Sequence, residues 1–428
     1  MALAAVGQPL AAQAQDELDL DAESAILVDA DTGKVLYAKE PDQALPPASM
    51  TKMMTEYLVL EAIEEGQISW DTTTQISDYP YSISANTLFS GVGLTQGKDY
   101  TVRELYEAMA VNSDNATTIA LAELIAGSET EFVEMMNAKA EEMGLSEYKF
   151  VNSTGLDNES LGENRPEGTD PNGTNLLSAR SSAYLAYHLI NDYPVALEFS
   201  SMPQIEFEGY TIDNWNWMLD HEGVSLQQFY YEGVDGLKTG NTELAGYTFT
   251  GTAEQNGQRL ISVVMKTNSR EERFEETAVL LDYGFNQFEQ QELAPAGYQK
   301  EGQSTLPVDK GKENEVNIST AEAVNIPMKE GEEDLYQITY HLDEEKLNEN
   351  GELVAPVEEG EVIGTAEVVY EGEDDYGYIF PDHAGTVNLV TNEAVEKDNW
   401  FMLTLGAVGD FFGSLFGSAV DWIKGFFQ

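Results

Sequence analysis

Cysteine is absent from this chain of 428 residues, and histidine occurs only four times. Without thiols the chain has no disulfide, no zinc-thiolate site and no cysteine nucleophile. The few histidines argue against a histidine-based metal site as well. A chain of this length can bury a core large enough to fold without disulfides. We therefore predict a protein with no metal and no other cofactor.

Positive charge is also scarce. Lysine and arginine together number 21 against 77 aspartates and glutamates, which gives a formal net charge of −56. This balance excludes nucleic acid as a partner, because binding to phosphates requires clustered basic groups. Two interpretations of the acidity remain open: adaptation to a saline or alkaline exterior, or simply a soluble acidic surface.

Long apolar runs are missing except near the two ends. Residues 1–15 resemble the tail of a secretory signal peptide, with a short apolar run and an A-x-A cleavage pattern at Ala12 to Ala14, but without a basic segment. An ordinary flexible N-terminus is the alternative. We predict export, which places the protein at the outer face of the cytoplasmic membrane.

The stretch from Trp400 to Gln428 carries apolar side chains on one side of a helical wheel and Asp410 and Asp421 on the other. We predict an amphipathic helix, within residues 396–428, that lies on the membrane surface. Lys424 is the one basic residue of this stretch that could attract anionic lipid. Burial of apolar side chains must therefore supply most of the binding free energy. A transmembrane tail and a helix docked on the protein itself are the alternatives.

Between the ends, the pattern predicts two domains. Ser24 to Tyr37 reads as a hairpin, helical periodicity covers residues 101–144, and strands with a following helix return between Gly236 and Tyr283. Strands at both ends of a helical region indicate one sheet with an inserted helical lobe, over residues 16–290. Short β-like runs separated by acidic turns then predict a smaller all-β domain over residues 291–395.

Ser49 opens an S-x-x-K motif with Lys52. Apolar spacing predicts a helix from Ser49 to Glu65, and residues three apart on a helix are neighbours. The hydroxyl of Ser49 and the amine of Lys52 can therefore meet as nucleophile and base. By itself this motif is weak, because a helix-capping serine followed by a solvated lysine has the same sequence.

Two later motifs strengthen this interpretation. S-D-N occurs at Ser113 to Asn115 and K-T-G at Lys238 to Gly240, in the chain order that serine enzymes reacting with penicillin use. A lysine acts as a base only when burial or a second cation lowers its pKa. We predict that Lys52 and Lys238 converge and that each lowers the pKa of the other.

Together with the stretches 150–156, 234–247, 259–264 and 281–285, these motifs closely resemble the low-molecular-mass penicillin-binding proteins, which are serine-type D-Ala-D-Ala carboxypeptidases of the peptidase S11 family. The resemblance covers nearly the whole chain. It implies an α+β fold: a penicillin-binding-protein-like catalytic domain of sheet and helical lobe, then a smaller all-β domain and a C-terminal amphipathic helix.

The resemblance also implies the roles of the site residues. Ser49 would be the acylated nucleophile, Lys52 its base and Ser113 a proton relay. Substrate-binding residues would be Asn115, Lys238, Thr239, Gly240, Asn241 and Arg273, with Asn115 on a substrate amide, Asn241 at the oxyanion hole through its backbone N–H and Arg273 on the terminal carboxylate.

The implied function is removal of the terminal D-alanine from peptidoglycan stem peptides, with β-lactam antibiotics as further ligands. Two alternatives stay open. A serine β-lactamase would need a deacylating glutamate, and the loop from Asn152 to Arg180 offers no clear one. A non-catalytic sensor of cell-wall peptides would not need both lysines.

Overall fold

The computed structural model describes residues 18–221, 223, 225–372, 375–380 and 385–398. The predicted signal-peptide remnant at residues 1–15 and the predicted amphipathic helix from Trp400 to Gln428 lie outside these ranges. The described chain forms two compact units, residues 18–287 with 376–380 and residues 288–375 with 385–398. In these ranges we find no helix with the length and apolar character needed to cross a bilayer.

The first unit combines a five-stranded sheet with three small two-stranded sheets. Its strands are β1 (Ser24–Asp29), β2 (Val35–Lys39), β3 (Thr73–Gln75), β4 (Asp99–Thr101), β5 (Tyr148–Lys149), β6 (Leu176–Leu177), β7 (Gln204–Phe207), β8 (Tyr210–Asp213), β9 (Val234–Thr242), β10 (Gly246–Gln255) and β11 (Gln258–Thr267). The main sheet has the order β2-β1-β11-β10-β9, with antiparallel neighbours throughout. The prediction that both ends of the domain supply one sheet is confirmed.

Nine helices belong to the described part of this unit. They are α1 (Lys52–Glu64), α2 (Asp78–Ser84), α3 (Val102–Asn112), α4 (Asn115–Ala126), α5 (Glu129–Met143), α6 (Asn158–Leu161), α7 (Ala179–Asp192), α8 (Val195–Ser200) and α9 (Glu272–Gln287). Helices α7 and α9 both pack against β1 and β11, which explains why all six residues of β1 are buried. The contacts among α1, α3, α4 and α5 build the predicted helical lobe.

The predicted helix from Ser49 to Glu65 begins later than expected. Residues Ala48–Thr51 form a 3₁₀ turn, in which the N–H of Met50 donates to the carbonyl of Pro47 at 3.2 Å, and the α-helix starts at Lys52. The apolar spacing could not separate the two helix types, because a short 3₁₀ turn commonly leads into an α-helix. The motif therefore spans the junction between the turn and the helix.

The second unit is all-β, as predicted. Its strands are β12 (Glu289–Ala294), β13 (Thr305–Asp309), β14 (Glu315–Thr320), β15 (Val324–Met328), β16 (Tyr336–Leu342), β17 (Leu353–Val354), β18 (Val362–Tyr370) and β19 (Thr386–Thr391). Six of them form a sheet in the order β16-β18-β19-β14-β13-β17, and β12 pairs with β15. Alternating buried residues along strands such as β13 fill its apolar cores, so the predicted α+β fold class is confirmed.

Candidate active site

Ser49 lies in a turn that two glycine positions approach closely. A Cβ on Gly155 would lie 1.9 Å from the carbonyl oxygen of Ala48, and a Cβ on Gly240 would lie 2.5 Å from that of Pro47. Ala48 itself has a φ of 47°, in the left-handed region that costs a non-glycine residue about 1 kcal/mol or more. The turn that contains Ser49 is therefore packed against backbone from two distant parts of the chain.

Lys52 is fully buried and has three polar contacts. Its Nζ lies 3.0 Å from Ser49 Oγ, 2.8 Å from Asn115 Oδ1 and 2.8 Å from the carbonyl oxygen of Thr154. The last two atoms can only accept hydrogen bonds, whereas the serine hydroxyl can also donate. An ammonium can donate to all three atoms, whereas a neutral amine, which has two N–H groups and one lone pair, donates to Asn115 and Thr154 and turns its lone pair toward Ser49.

Burial favours that neutral amine. Desolvation of Lys52 lowers its pKa well below the ordinary value, and the positive charge of Lys238 lowers it further. For Lys238, burial and the charge of Arg273 lower the pKa to about 8, while the carboxylate of Glu56 opposes the shift. The sequence predicted that each of the two lysines lowers the pKa of the other. The structure supports it for Lys52 and adds that burial is the larger cause.

Ser113 lies at the junction of α3 and α4, in a left-handed conformation with a φ of 61°. Its Oγ is buried and has no hydrogen-bond partner among the described residues. An unpaired buried hydroxyl costs free energy, so it is expected where a ligand completes its hydrogen bonding. Asp114 fixes this junction, because its carboxylate accepts from Thr117 N–H at 2.7 Å and from Val92 N–H at 2.6 Å.

Both side-chain amide atoms of Asn115 form hydrogen bonds within the protein, which the sequence did not predict. Its Oδ1 accepts the bond from Lys52, and its Nδ2 donates to the carbonyl of Ser90 at 3.2 Å. The residue is only 2% exposed. Its amide group therefore orients the amine of Lys52 in this structure, and a contact with a substrate amide requires one of these bonds to exchange.

Strand β9 forms one edge of the five-stranded sheet in the described chain and carries Lys238, Thr239, Gly240 and Asn241. An edge strand presents backbone groups to which an extended peptide can bind. The glycine is required here, because a Cβ would also lie 2.3 Å from Thr248 Oγ1. Asn241 is exposed, and its side chain donates to the carbonyl of Gly246 at 3.1 Å.

Arg273 lies beside this strand and is 2% exposed. Its guanidinium donates to the carbonyls of Gly240 at 3.1 Å and Thr248 at 3.4 Å. Burial and the neighbouring Arg270 lower the pKa of Arg273 to about 9. Its Nε is buried without a partner in the described ranges.

One cleft gathers most of these groups. Its lining consists of Ser49, Ser90, Ser113, Trp215, Thr239, Gly240, Asn241, Arg270 and Arg273. Lys52, Asn115 and Lys238 are buried residues outside this lining. Sequence reasoning missed three lining residues: Ser90, Trp215 and Arg270. Only the repeated tryptophans of the segment 214–217 offered a signal for any of them.

Two known protein families match this chain along most of its length. A family profile described as D-alanyl-D-alanine carboxypeptidase (Peptidase_S11) matches residues 10–269, and one described as the C-terminal domain of penicillin-binding protein 5 matches residues 288–397. The D-alanyl-D-alanine carboxypeptidase DacF of Bacillus subtilis is 33% identical over 360 residues, which cover 83% of this chain and 84% of that protein.

Solved structures agree with the sequence matches. A peptidoglycan synthesis regulatory factor (PBP3) from Streptococcus pneumoniae superposes with a TM-score of 0.71 and 37% identity, covering 88% of this chain and 99% of the other. Penicillin-binding protein 5 from Haemophilus influenzae gives a TM-score of 0.70 and 30% identity, covering 92% of this chain and 100% of the other. Both similarities extend over the two units described above.

Proposed function

Since this chain belongs to the Peptidase S11 family of D-alanyl-D-alanine carboxypeptidases, we propose that Ser49 is the nucleophile with which it removes the terminal D-alanine from peptidoglycan stem peptides. Members of the family are hydrolases that bind β-lactams and act on peptidoglycan peptides. The proposal therefore concerns the roles of individual residues in this chain. Its central support is the set of three contacts around the amine of Lys52.

The first half-reaction forms an acyl-enzyme. Neutral Lys52 takes the proton of the Ser49 hydroxyl while the serine oxygen attacks the carbonyl carbon between the two D-alanines. The backbone N–H groups of Ser49 and Asn241 are proposed to stabilise the oxyanion. As the C–N bond breaks, the amine of the departing D-alanine receives the proton through the Ser113 hydroxyl. Water then hydrolyses the ester and regenerates Ser49.

The remaining residues hold the substrate and the charge of the site. Lys238 keeps the pKa of Lys52 low, and Thr239 and Gly240 lie on the strand along which the peptide extends. Arg273 is proposed to attract the terminal carboxylate from beside this strand, and Asn115 to exchange a bond for a substrate amide. A cationic pocket of this kind is needed locally, because the whole chain carries a net charge of −56.

A β-lactamase function is less well supported. The glutamates of the loop between Asn152 and Arg180 are Glu159, Glu163 and Glu167, and all three are exposed. None of them lines the cleft that contains Ser49. None of these glutamates is therefore placed to activate a water for rapid deacylation of the penicilloyl enzyme. We expect that enzyme to be long-lived.

The direct test is release of D-alanine from diacetyl-L-Lys-D-Ala-D-Ala. We expect turnover by the wild type and its loss in Ser49→Ala, because the variant lacks the hydroxyl that is proposed to attack the peptide. Ser82→Ala is a matched control, since Ser82 is an exposed serine outside the cleft. Undiminished turnover in a correctly folded Ser49→Ala variant would refute the assignment.

A second arm of the same assay addresses cofactors. We predict that a chelator leaves D-alanine release unchanged, because the proposed chemistry uses only serine, lysine and water. Activity that a chelator removes and zinc restores would contradict the proposal.

The family acts on the cell wall, which indicates a periplasmic or extracellular location. We propose further that the segment from Trp400 to Gln428 holds the protein at the outer face of the cytoplasmic membrane. The support is the apolar side of this segment in the sequence. Truncation after Lys397 should release the protein from the membrane fraction at low and high salt. Retention of the truncated protein would contradict the anchor.

A further inference from the structure

Arg270 lies at the cleft and is stacked on two tryptophans. Its guanidinium carbon is 5.0 Å from the centre of the Trp215 ring and 5.6 Å from that of Trp217. Trp215 is fixed in turn, because its indole N–H donates to the carbonyl of Asn112 at 2.9 Å, next to the S-D-N motif. Stacking on aromatic faces limits the conformations of the arginine but uses none of its N–H donors.

Those donors have no carboxylate partner. Across the described ranges, Arg270 takes part in no ion pair and no side-chain hydrogen bond, although the chain has 77 acidic residues against 21 basic ones. Arg180 and Arg259, by contrast, are each paired with an aspartate. An arginine left unpaired in so acidic a protein keeps its charge available for a ligand.

Arg270 also places a second positive charge beside Arg273. It is close enough to Arg273 to lower the pKa of that residue, and both lie at the N-terminal end of α9. The N-terminal end of a helix favours anions and disfavours cations. Local conflicts of this kind are expected at functional sites, where a ligand relieves them.

We propose that Arg270, held by Trp215 and Trp217, is a specificity-determining residue that binds the C-terminal carboxylate of the substrate from the open side of the cleft. Arg273 contributes charge from the side of β9, where its guanidinium is bonded to two backbone carbonyls. Arg270 retains the planar pair of N–H groups that matches a carboxylate. This inference rests on the proposed function and deepens it.

The test compares two peptides that differ only in this charge: diacetyl-L-Lys-D-Ala-D-Ala and its C-terminal amide. We expect the wild type to prefer the acid, measured as the ratio of the two kcat/KM values. Arg270→Gln should lower this ratio about ten- to a hundredfold, the usual range for a lost hydrogen bond to a charged group. Arg270→Lys should retain part of the preference, because it keeps the charge without the planar fork.

Arg103→Gln is a matched control. Its guanidinium carbon also stacks on a tryptophan, at 4.9 Å from Trp70, but it does not line the cleft. This variant loses the same charge and the same kind of stack and should keep the wild-type ratio. An Arg270→Gln variant that slows both peptides equally would overturn the proposal, because a structural role alone predicts that result.

Failure of the proposed function would look different, since the wild type would then cleave neither peptide, releasing neither D-alanine from the acid nor D-alaninamide from the amide. In that case the carboxylate contact of Arg270 is tested with penicillin G and its methyl ester, by the ratio of their acylation rates. A ratio that falls in Arg270→Gln supports the carboxylate contact, and an unchanged ratio overturns it.

Discussion

The two units differ in whether they bury charged side chains. The first unit buries Lys52, Glu56, Asp114, Glu129, Lys238 and Arg273. In the described part of the second unit no aspartate, glutamate, lysine or arginine is buried, and its cores consist of apolar side chains. Both units come from one very acidic chain, so composition alone does not account for the difference.

Burying a charged group costs free energy unless partners compensate for it. In the first unit the compensation is incomplete: burial raises the pKa of Glu56, whereas it lowers those of Lys52 and Lys238. Each shift moves the group toward its neutral form. The second unit avoids this cost, because its described residues bury no aspartate, glutamate, lysine or arginine. The buried amine of Lys52 is the group to which we assign proton transfer, so we expect changes of buried charge in the first unit to alter the reaction and changes in the second unit not to.

After the loss of activity expected for Ser49→Ala, the largest expected effect comes from Lys238→Gln. We expect acylation by penicillin to slow by about 10²- to 10³-fold, the range for losing one preorganised electrostatic group. The loss of this positive charge raises the pKa of Lys52, so the acid limb of the pH–rate profile should move to higher pH. Rates measured between pH 5 and 10 check both effects.

Lys346→Gln, in the second unit, is the matched control for this change. Its amine is exposed and lies 3.5 Å from Glu361. Its pH–rate profile should coincide with that of the wild type. A Lys238→Gln profile that also coincides with the wild type would remove the coupling between the two lysines.

Gly240→Ala tests the close approach of β9 to the 3₁₀ turn that contains Ser49. The added Cβ would overlap Thr248 Oγ1 and the carbonyl of Pro47, so we expect a loss of about 1–3 kcal/mol in unfolding free energy and slower acylation. In Gly66→Ala the φ of 74° is also strained, but no atom lies within 4 Å. That variant should lose stability without slower acylation. Equal acylation in both variants would show that the approach is unimportant.

Ile318→Val probes an apolar core of the second unit, where the isoleucine is 1% exposed. We expect a loss of about 0.5–1.5 kcal/mol in unfolding free energy, because one buried methylene is removed. Acylation by penicillin should not change. Slower acylation at unchanged stability would contradict the contrast between the two units.

Lys346→Gln should have the smallest effect on stability. Its ion pair with Glu361 is exposed, and such pairs contribute less than about 1 kcal/mol. High salt should remove even that difference, because screening weakens exposed pairs. Urea unfolding at low and high salt measures it, and a large loss that persists in high salt would be unexpected.

The sequence predicted those parts of the site that local patterns encode. The hairpin of β1 and β2, the helices beside S-D-N and the strand that carries K-T-G all have short-range periodicity. The 3₁₀ turn at Ser49 could not be read in this way, since the positions that shape it, Gly155 and Gly240, are distant in the chain.

Long-range packing also hid other parts of the site. The stack of Arg270 on Trp215 joins residues from separate segments, and no spacing in the sequence indicates it. Likewise, the motif identified Asn115 as a site residue but could not reveal that both its amide atoms are engaged within the protein. A motif names the residues of a site, whereas their hydrogen-bond partners depend on the tertiary fold.

The central claim is that Ser49, activated by a neutral Lys52, forms the acyl-enzyme. Mass spectrometry after exposure to penicillin tests it most directly, with the intact mass measured first and the modified peptide mapped second. The account predicts one penicilloyl group per chain, on the peptide that contains Ser49, and none on Ser49→Ala. A penicilloyl group on any other peptide, or on the folded Ser49→Ala variant, would contradict it.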